Sequence, residues 1–322
     1  MRKHILSLIT LLLCLPTASQ ASQVSVTEGK PLRTSASSPY QSTRLSTQLV
    51  SAFKDHKAEF YFTNSASSVW AVDSDYQLDY YQTNITVGMK LDTGEKFTTG
   101  IEYQYTWAND NGLDSFVMNF HDLFGVGQNG RDEVEEDRFY ASSGRYGVEQ
   151  EGFEDETFVD ALKVDLQYHW WETETDALSV TGLVYFNDPG DDSFRHDAFE
   201  YGLQVSYSRD IEQHNFHSTL GLIRRSDSTN LESMEIRNVT AELGLGYVYV
   251  LSKHHQFMVE YYIYQGAIDD GSAFSKPSQE VTLGYRYNFL DVGAVELSTT
   301  ENIGNMDNST DIMFTLGFRL FI

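Results

Sequence analysis

Histidine beside a carboxylate or a hydroxyl is the pairing from which general-base and nucleophilic catalysis are built. The sequence offers it in two places. His121 and Asp122 lie in the stretch Phe120-His121-Asp122-Leu123-Phe124-Gly125, followed by Gly130-Arg131-Asp132. That pair has the chemistry to orient a base or to bind a metal. The plainer reading is preferred. His121 and Asp122 tie backbone amides of a loop, and Leu123 and Phe124 pack that loop into a larger body. No Gly-x-Ser-x-Gly nucleophile motif lies nearby. His217 and Ser218 are adjacent, without the His-x-Ser spacing of outer-membrane phospholipases. His254-His255 falls in a predicted short turn and reads as solvated.

Carboxylates cluster at 132–137, 149–156, 188–192 and 269–270. Such hard oxygen ligands suit divalent cations, but none follows the EF-hand spacing. They read as a solvated acidic surface. Divalent cations bridging that surface to lipopolysaccharide phosphates are its natural partners. No catalytic residue, metal site or cofactor is assigned, and an enzyme is not expected.

The elements that carry these residues are strands. At 311–322, Ile312, Phe314, Leu316, Phe318, Leu320 and Ile322 alternate with Met313, Thr315, Gly317, Arg319 and Phe321. This period of two is the strand signature. An aromatic-rich apolar face on this final strand predicts the closing strand of an outer-membrane β-barrel, of the kind read by barrel-assembly machinery. Similar stretches recur at 59–63, 84–91, 97–107, 162–171, 178–186, 199–208, 215–224, 239–249, 257–264, 281–289 and 294–300. The stretch 138–146 could add a small hairpin strand. Turns of about three to five residues alternate with loops of eight or more, as short periplasmic turns alternate with long outer loops. The expected fold is an up-and-down antiparallel transmembrane barrel of about twelve strands. Trp107, Trp171, Phe186, Phe199, Tyr207 and Phe289 fall near strand ends, where interfacial aromatics belong.

Composition agrees. Aromatics make up 14% of the chain while mean hydropathy is −0.37, as in strands whose two faces average out. Residues 1–21 read as a signal peptide: Arg2 and Lys3, an apolar run too short to span a bilayer as a helix, then Ser19-Gln20-Ala21 at the cleavage site. Leu13 before Cys14 argues against a lipoprotein signal, and the mature chain then holds no cysteine. A formal net charge of −25 makes nucleic acid an unfit partner. Residues 22–56, rich in Ser and Thr, read as a flexible arm or a plug, with 41–53 either a short helix or folded inward. The barrel follows over 57–322, with a long loop at 108–157.

The Phe120–Gly125 segment, followed by Asn129-Gly130-Arg131-Asp132, resembles a segment of domain-of-unknown-function family 3187, an uncharacterised proteobacterial family. The strand spacing on either side is similar too. The resemblance implies an outer-membrane location and this fold, and no mechanism.

Alternation turns Lys90, Glu102, Lys163, Asp165, His169, Glu200, His217, Glu242, Glu260, Arg286, Glu296, Asp311 and Arg319 inward. A polar interior of mixed sign suits a water-filled pore, or a closed barrel braced by internal ion pairs. Acids outnumber bases, so a pore should favour cations. The expected function is a passive channel for small cationic or neutral solutes. The alternative is a non-conducting structural or surface-interaction barrel with cation-binding acidic loops.

Overall fold

The computed structural model describes residues 29–54, 58–113, 138–190, 194, 197–226, 236–289, 292–308 and 310–322. The Phe120–Asp132 motif and the expected signal peptide lie outside them. A residue pattern of period two gives a strand two unlike faces. In Ala198–Ile211, Ala198, Glu200, Gln204, Ser206 and Ser208 are buried while Phe199, Tyr201, Leu203 and Val205 are exposed. This inverts the order of a water-soluble protein. Leu203 is 63% exposed and Glu200 is 0% exposed. A continuous exposed apolar face needs a non-aqueous neighbour, and a bilayer supplies it.

Among the described residues there are fourteen strands: β1 (Glu59–Asp73), β2 (Tyr76–Gly94), β3 (Phe97–Ala108), β4 (Tyr140–Ser143), β5 (Val148–Glu151), β6 (Thr157–Glu172), β7 (Asp176–Asn187), β8 (Ala198–Ile211), β9 (His214–Arg224), β10 (Val239–Val250), β11 (His255–Tyr264), β12 (Ser278–Phe289), β13 (Gly293–Asn302) and β14 (Ile312–Phe321). Twelve of them close into an antiparallel barrel in which β1 pairs with both β14 and β2. Closure is obligatory, because an open edge would present unpaired amides and carbonyls to hydrocarbon. The β1–β14 pairing runs from Glu59↔Phe321 to Ser68↔Ile312. The short pair β4–β5 extends the sheet beside β2.

The connections 95–96, 173–175, 212–213 and 251–254 lie at one end, with the end of β12, the start of β13, the start of β1 and the end of β14. Long connections lie at the other. One exception stands there: 74–75 is a tight turn. The first strand, expected over 59–63, runs to Asp73, and the second, expected over 84–91, begins at Tyr76. Neither extension alternates. Small hydroxyls face inward, as with Ser65 Oγ and Thr315 Oγ1 at 2.8 Å. Past Ser68 the hairpin rises beyond its β14 partner, and Val69, Trp70 and Ala71 are consecutively buried. The turn expected over 92–96 shrinks to 95–96, because β2 continues through an irregularity between Asp92 and Gly94.

Aromatic residues at the long-loop end form a cluster in which Tyr80, Phe139, Phe153, Phe158 and Phe194 meet edge to face. Leu203 stands midway along β8 on the outer face. Replacing Leu203 by Arg is expected to destabilise the inserted barrel by about 2–4 kcal/mol, measured by denaturant unfolding in lipid. A loss near zero would show that this face does not meet hydrocarbon.

Candidate functional site

A barrel of about eight strands is filled by its own side chains, and one of sixteen to eighteen leaves an aqueous channel. Twelve strands enclose a space between these limits. Residues 29–54 occupy it as a hairpin. The ascending limb starts at the short-turn end, where His217 Nε2 meets the Gly29 carbonyl at 2.5 Å. A single turn of 3-10 helix, Gln41–Thr43, reverses the chain at the long-loop end. The descending limb returns to the short-turn end, where the Lys54 amide donates to Glu172 at 3.0 Å.

The segment forms no strand with the wall, so its amides need other acceptors. Inward glutamates supply them. The Leu32 amide donates to Glu260 at 2.7 Å and the Arg33 amide to Glu296 at 3.1 Å. Ser37 and Ser38 amides donate to Glu280 at 3.1 and 2.8 Å. Leu45 donates to Glu200 at 2.9 Å and Thr47 to Glu242 at 2.5 Å. Hairpin carbonyls are held in turn by wall cations: Arg286 donates to the Lys30 and Pro31 carbonyls at 2.9 Å each, and Arg225 to the Leu45 carbonyl at 2.5 Å.

Two charged clusters fix the ends of this arrangement. Near the short turns, Arg33 binds Glu59 through two parallel bonds of 2.9 Å. Arg319 joins Glu59 and Glu296 at 2.9 and 3.0 Å, and Arg286 reaches Glu296 at 2.6 Å. Near the long loops, Arg44 meets Glu200 at 3.0 Å, and Arg225 spans Glu200 and Glu242 at 3.3 and 2.6 Å. Between them Lys163 pairs with Glu102 at 2.6 Å and also donates to Gln48 at 2.9 Å. Lys90 faces Asp165 at 3.6 Å. A water-filled pore leaves its lining accessible, yet the side chains of Arg225, Glu200 and Glu242 are 0% exposed. A residual space beside Arg33, Phe53, Lys90 and His169 amounts to about 40 Å³, room for a water or two.

The wall is also shaped for this segment. A Cβ placed on Gly221 would stand 2.0 Å from Thr47 Oγ1, and one on Gly284 would stand 2.5 Å from Leu32 Cδ1. One on Gly246 would stand 2.9 Å from Leu49 Cδ1. Three inward glycines on three strands thus admit three hairpin side chains.

The inward residues Lys90, Glu102, Lys163, Asp165, Glu200, Glu242, Glu260, Arg286, Glu296 and Arg319 therefore meet in one interior. His169 and His217 join them, each holding a hairpin carbonyl, Ala52 at 2.9 Å and Gly29. A carbonyl only accepts, so the facing ring nitrogen carries the proton in each case. His217 is thereby engaged with the hairpin and with Ser208 at 2.8 Å, not with Ser218. Glu59, Arg225 and Glu280 belong to the interior too, as do Arg33 and Arg44 of the hairpin. Four alternating steps from His217 reach Arg225, and one from Thr282 reaches Glu280. Glycines inside strands, which mark a close approach of other chain, were the readable signal for the hairpin. Of the acidic clusters, Glu149 and Glu151 are exposed, and Asp269 pairs with Arg237 at 2.7 Å.

The chain belongs to the family described as "Protein of unknown function (DUF3187)", whose model matches residues 5–321. Among solved structures it is similar to an outer membrane channel from Pseudomonas putida F1, with 13% identity, 84% of this chain and 97% of that chain covered, and a TM-score of 0.55. It is also similar to the NanC porin, at 10% identity over 81% of this chain and 98% of that chain, with a TM-score of 0.46. At these identities the likeness is one of fold, that of an outer-membrane barrel. No curated protein matches the sequence.

Replacing Glu296 by Ala leaves Arg286 and Arg319 short of a buried partner. The expected cost is about 3–5 kcal/mol, read from the unfolding midpoint. Glu149→Ala on the exposed surface should stay within about 0.5 kcal/mol. Equal effects would mean that the inner network carries no stability.

Proposed function

We propose that this protein is an outer-membrane channel for small cationic or neutral solutes, held shut at rest by its own segment 29–54. The observation that carries the reading is the hairpin itself. It is bound through side chains and backbone polar groups, without a single strand pairing to the wall among the described residues, so it can leave without dismantling the barrel. Displacing it takes Lys30, Arg33 and Arg44 away. The wall then keeps Glu59, Glu102, Asp165, Glu200, Glu242, Glu260, Glu280 and Glu296 against Lys90, Lys163, Arg225, Arg286 and Arg319. An excess of carboxylates in a low-dielectric tube favours cations.

Export under the leader read in residues 1–21, insertion by barrel-assembly machinery and residence in a Gram-negative outer membrane belong to the same proposal. Lipopolysaccharide would then meet the exposed acidic loops, with divalent cations between its phosphates and carboxylates such as Glu149 and Glu151. A second reading, a barrel that never conducts, has the density of buried polar bonds in its favour.

Planar-bilayer recordings decide between them. Full-length mature protein is expected to be closed most of the time. A variant lacking residues 29–54 should conduct in steps, with a reversal potential on the cation side under a salt gradient. A Cβ on Gly221 stands 3.2 Å from Thr47 Cβ, near disulfide geometry, and no other cysteine is present in the mature chain. Oxidised Thr47→Cys/Gly221→Cys protein should lose whatever openings the full-length protein shows and regain them in reductant. A deletion variant that inserts and migrates heat-modifiably yet stays silent would sink the channel reading in favour of the second.

A further inference from the structure

At the long-loop end, above the hairpin's reversal, lies a cavity of about 270 Å³. Its walls come from separate parts of the chain. They include the hairpin turn, the β1–β2 hairpin, the β4–β5 hairpin, the start of β6 and the connection 265–277. Tyr40, Tyr76, Leu78, Tyr80, Phe158 and Phe274 give it an apolar, largely aromatic lining. An engineered apolar cavity of about 150 Å³ holds benzene, and drug-sized pockets begin near 300 Å³. The space therefore fits one small aromatic molecule of one or two rings.

The walls are braced. Tyr76 and Phe274 pack with ring centroids 4.3 Å apart, and Tyr146 donates to Asp270 at 2.7 Å. Charges at the rim and floor are already matched. Arg145 pairs with Asp75 at 2.7 Å and Asp270 at 3.4 Å, and Arg44 pairs with Glu200. Burial pushes the Asp270 carboxyl up, but hydrogen bonds from Ser272 and Tyr146, with the Arg145 charge, bring it below the ordinary carboxylate range. It stays ionised beside its arginine. A charged ligand would find no free counter-charge, so a neutral one is favoured. The Tyr40 ring belongs to the lining, while its hydroxyl is buried away from the open space.

We propose that this cavity binds a small neutral aromatic molecule of one or two rings, held among the tyrosines and phenylalanines. Tyr40 also lies under the Arg44 guanidinium at 4.7 Å and within 5.9 Å of that of Arg225. The ligand would thus rest on the part of the hairpin that joins the Glu200–Arg225–Glu242 cluster. The proposal extends the channel reading by naming a solute class. Its test reads binding and not conductance, so a shut barrel that binds and an open barrel that does not are told apart.

The probe is 2-naphthol, titrated by fluorescence into the full mature protein in detergent, with empty micelles as reference. Saturable one-site binding is expected. Phe274→Leu, which takes one ring from the lining, should weaken it by up to about tenfold. Ala141→Trp, and independently Ser143→Trp, should abolish it by filling the cavity, with heat-modifiable migration confirming that each barrel has folded. Uptake that matches empty micelles, or that persists in folded cavity-filled variants, overturns the site. Unchanged affinity in Phe274→Leu overturns recognition by the aromatic lining.

Discussion

A carboxylate turned into the barrel must find donors, and a chain segment without a strand partner must find acceptors. Each requirement is met here by the other. Inward glutamates are placed by the strand period and cannot reach bulk water once the lumen is filled. The hairpin's amides are placed by a backbone that no sheet satisfies. Glu200, Glu242, Glu260, Glu280 and Glu296 each accept an amide from residues 32–47. In a dry interior neither partner is satisfied without the other. This reciprocity, more than hydrophobic packing, fills the interior, because the apolar side chains of the strands are committed to the outside.

Geometry makes the reciprocity necessary. A twelve-stranded wall encloses more volume than inward side chains can fill. Water or polypeptide must take up the rest. The inward glycines show which outcome the wall is shaped for. A strand interior loses packing and gains backbone entropy cost at each glycine. Gly221 and Gly284 are explained by Thr47 and Leu32 lying where their side chains would be.

The barrel was legible because hydrocarbon imposes a strict rule on one face, which leaves a period-two record in the sequence. That record gave twelve strands and the inward set from Lys90 to Arg319. It failed at 64–83, where the lining is serine and the hairpin above the rim is buried on both sides, so no face is marked. The hairpin 29–54 left almost no record for a different reason. It is recognised largely through its amides and carbonyls, which every residue carries, so its side chains are free to be Ser, Thr and Gln. The inward acids were readable as residues, and their partner was not. Read without the hairpin, they resemble a cation filter. With it, they are acceptors for its amides.

The two limbs are not held alike, and this bears on how such a lumen would open. Without the ascending limb, Lys30 and Arg33 depart, yet Glu59 and Glu296 still face Arg319 and Arg286 at their present distances. Charge stays balanced in that cluster. Without the descending limb, Arg44 departs and Glu200 and Glu242 share Arg225 alone. An excess negative charge is left in a confined site, where solvent screens it least. Leu32 and Ser37–Ser38 surrender amide bonds to Glu260 and Glu280, and Ser37 a carbonyl bond from Thr310, all of which entering water replaces. The ascending limb is therefore the part whose release disturbs the wall least. Releasing the descending limb, which is matched to the Glu200–Arg225–Glu242 cluster, disturbs the wall more. An opening that released the ascending limb alone would be a half-cleared lumen with Arg44 still in place at its outer end.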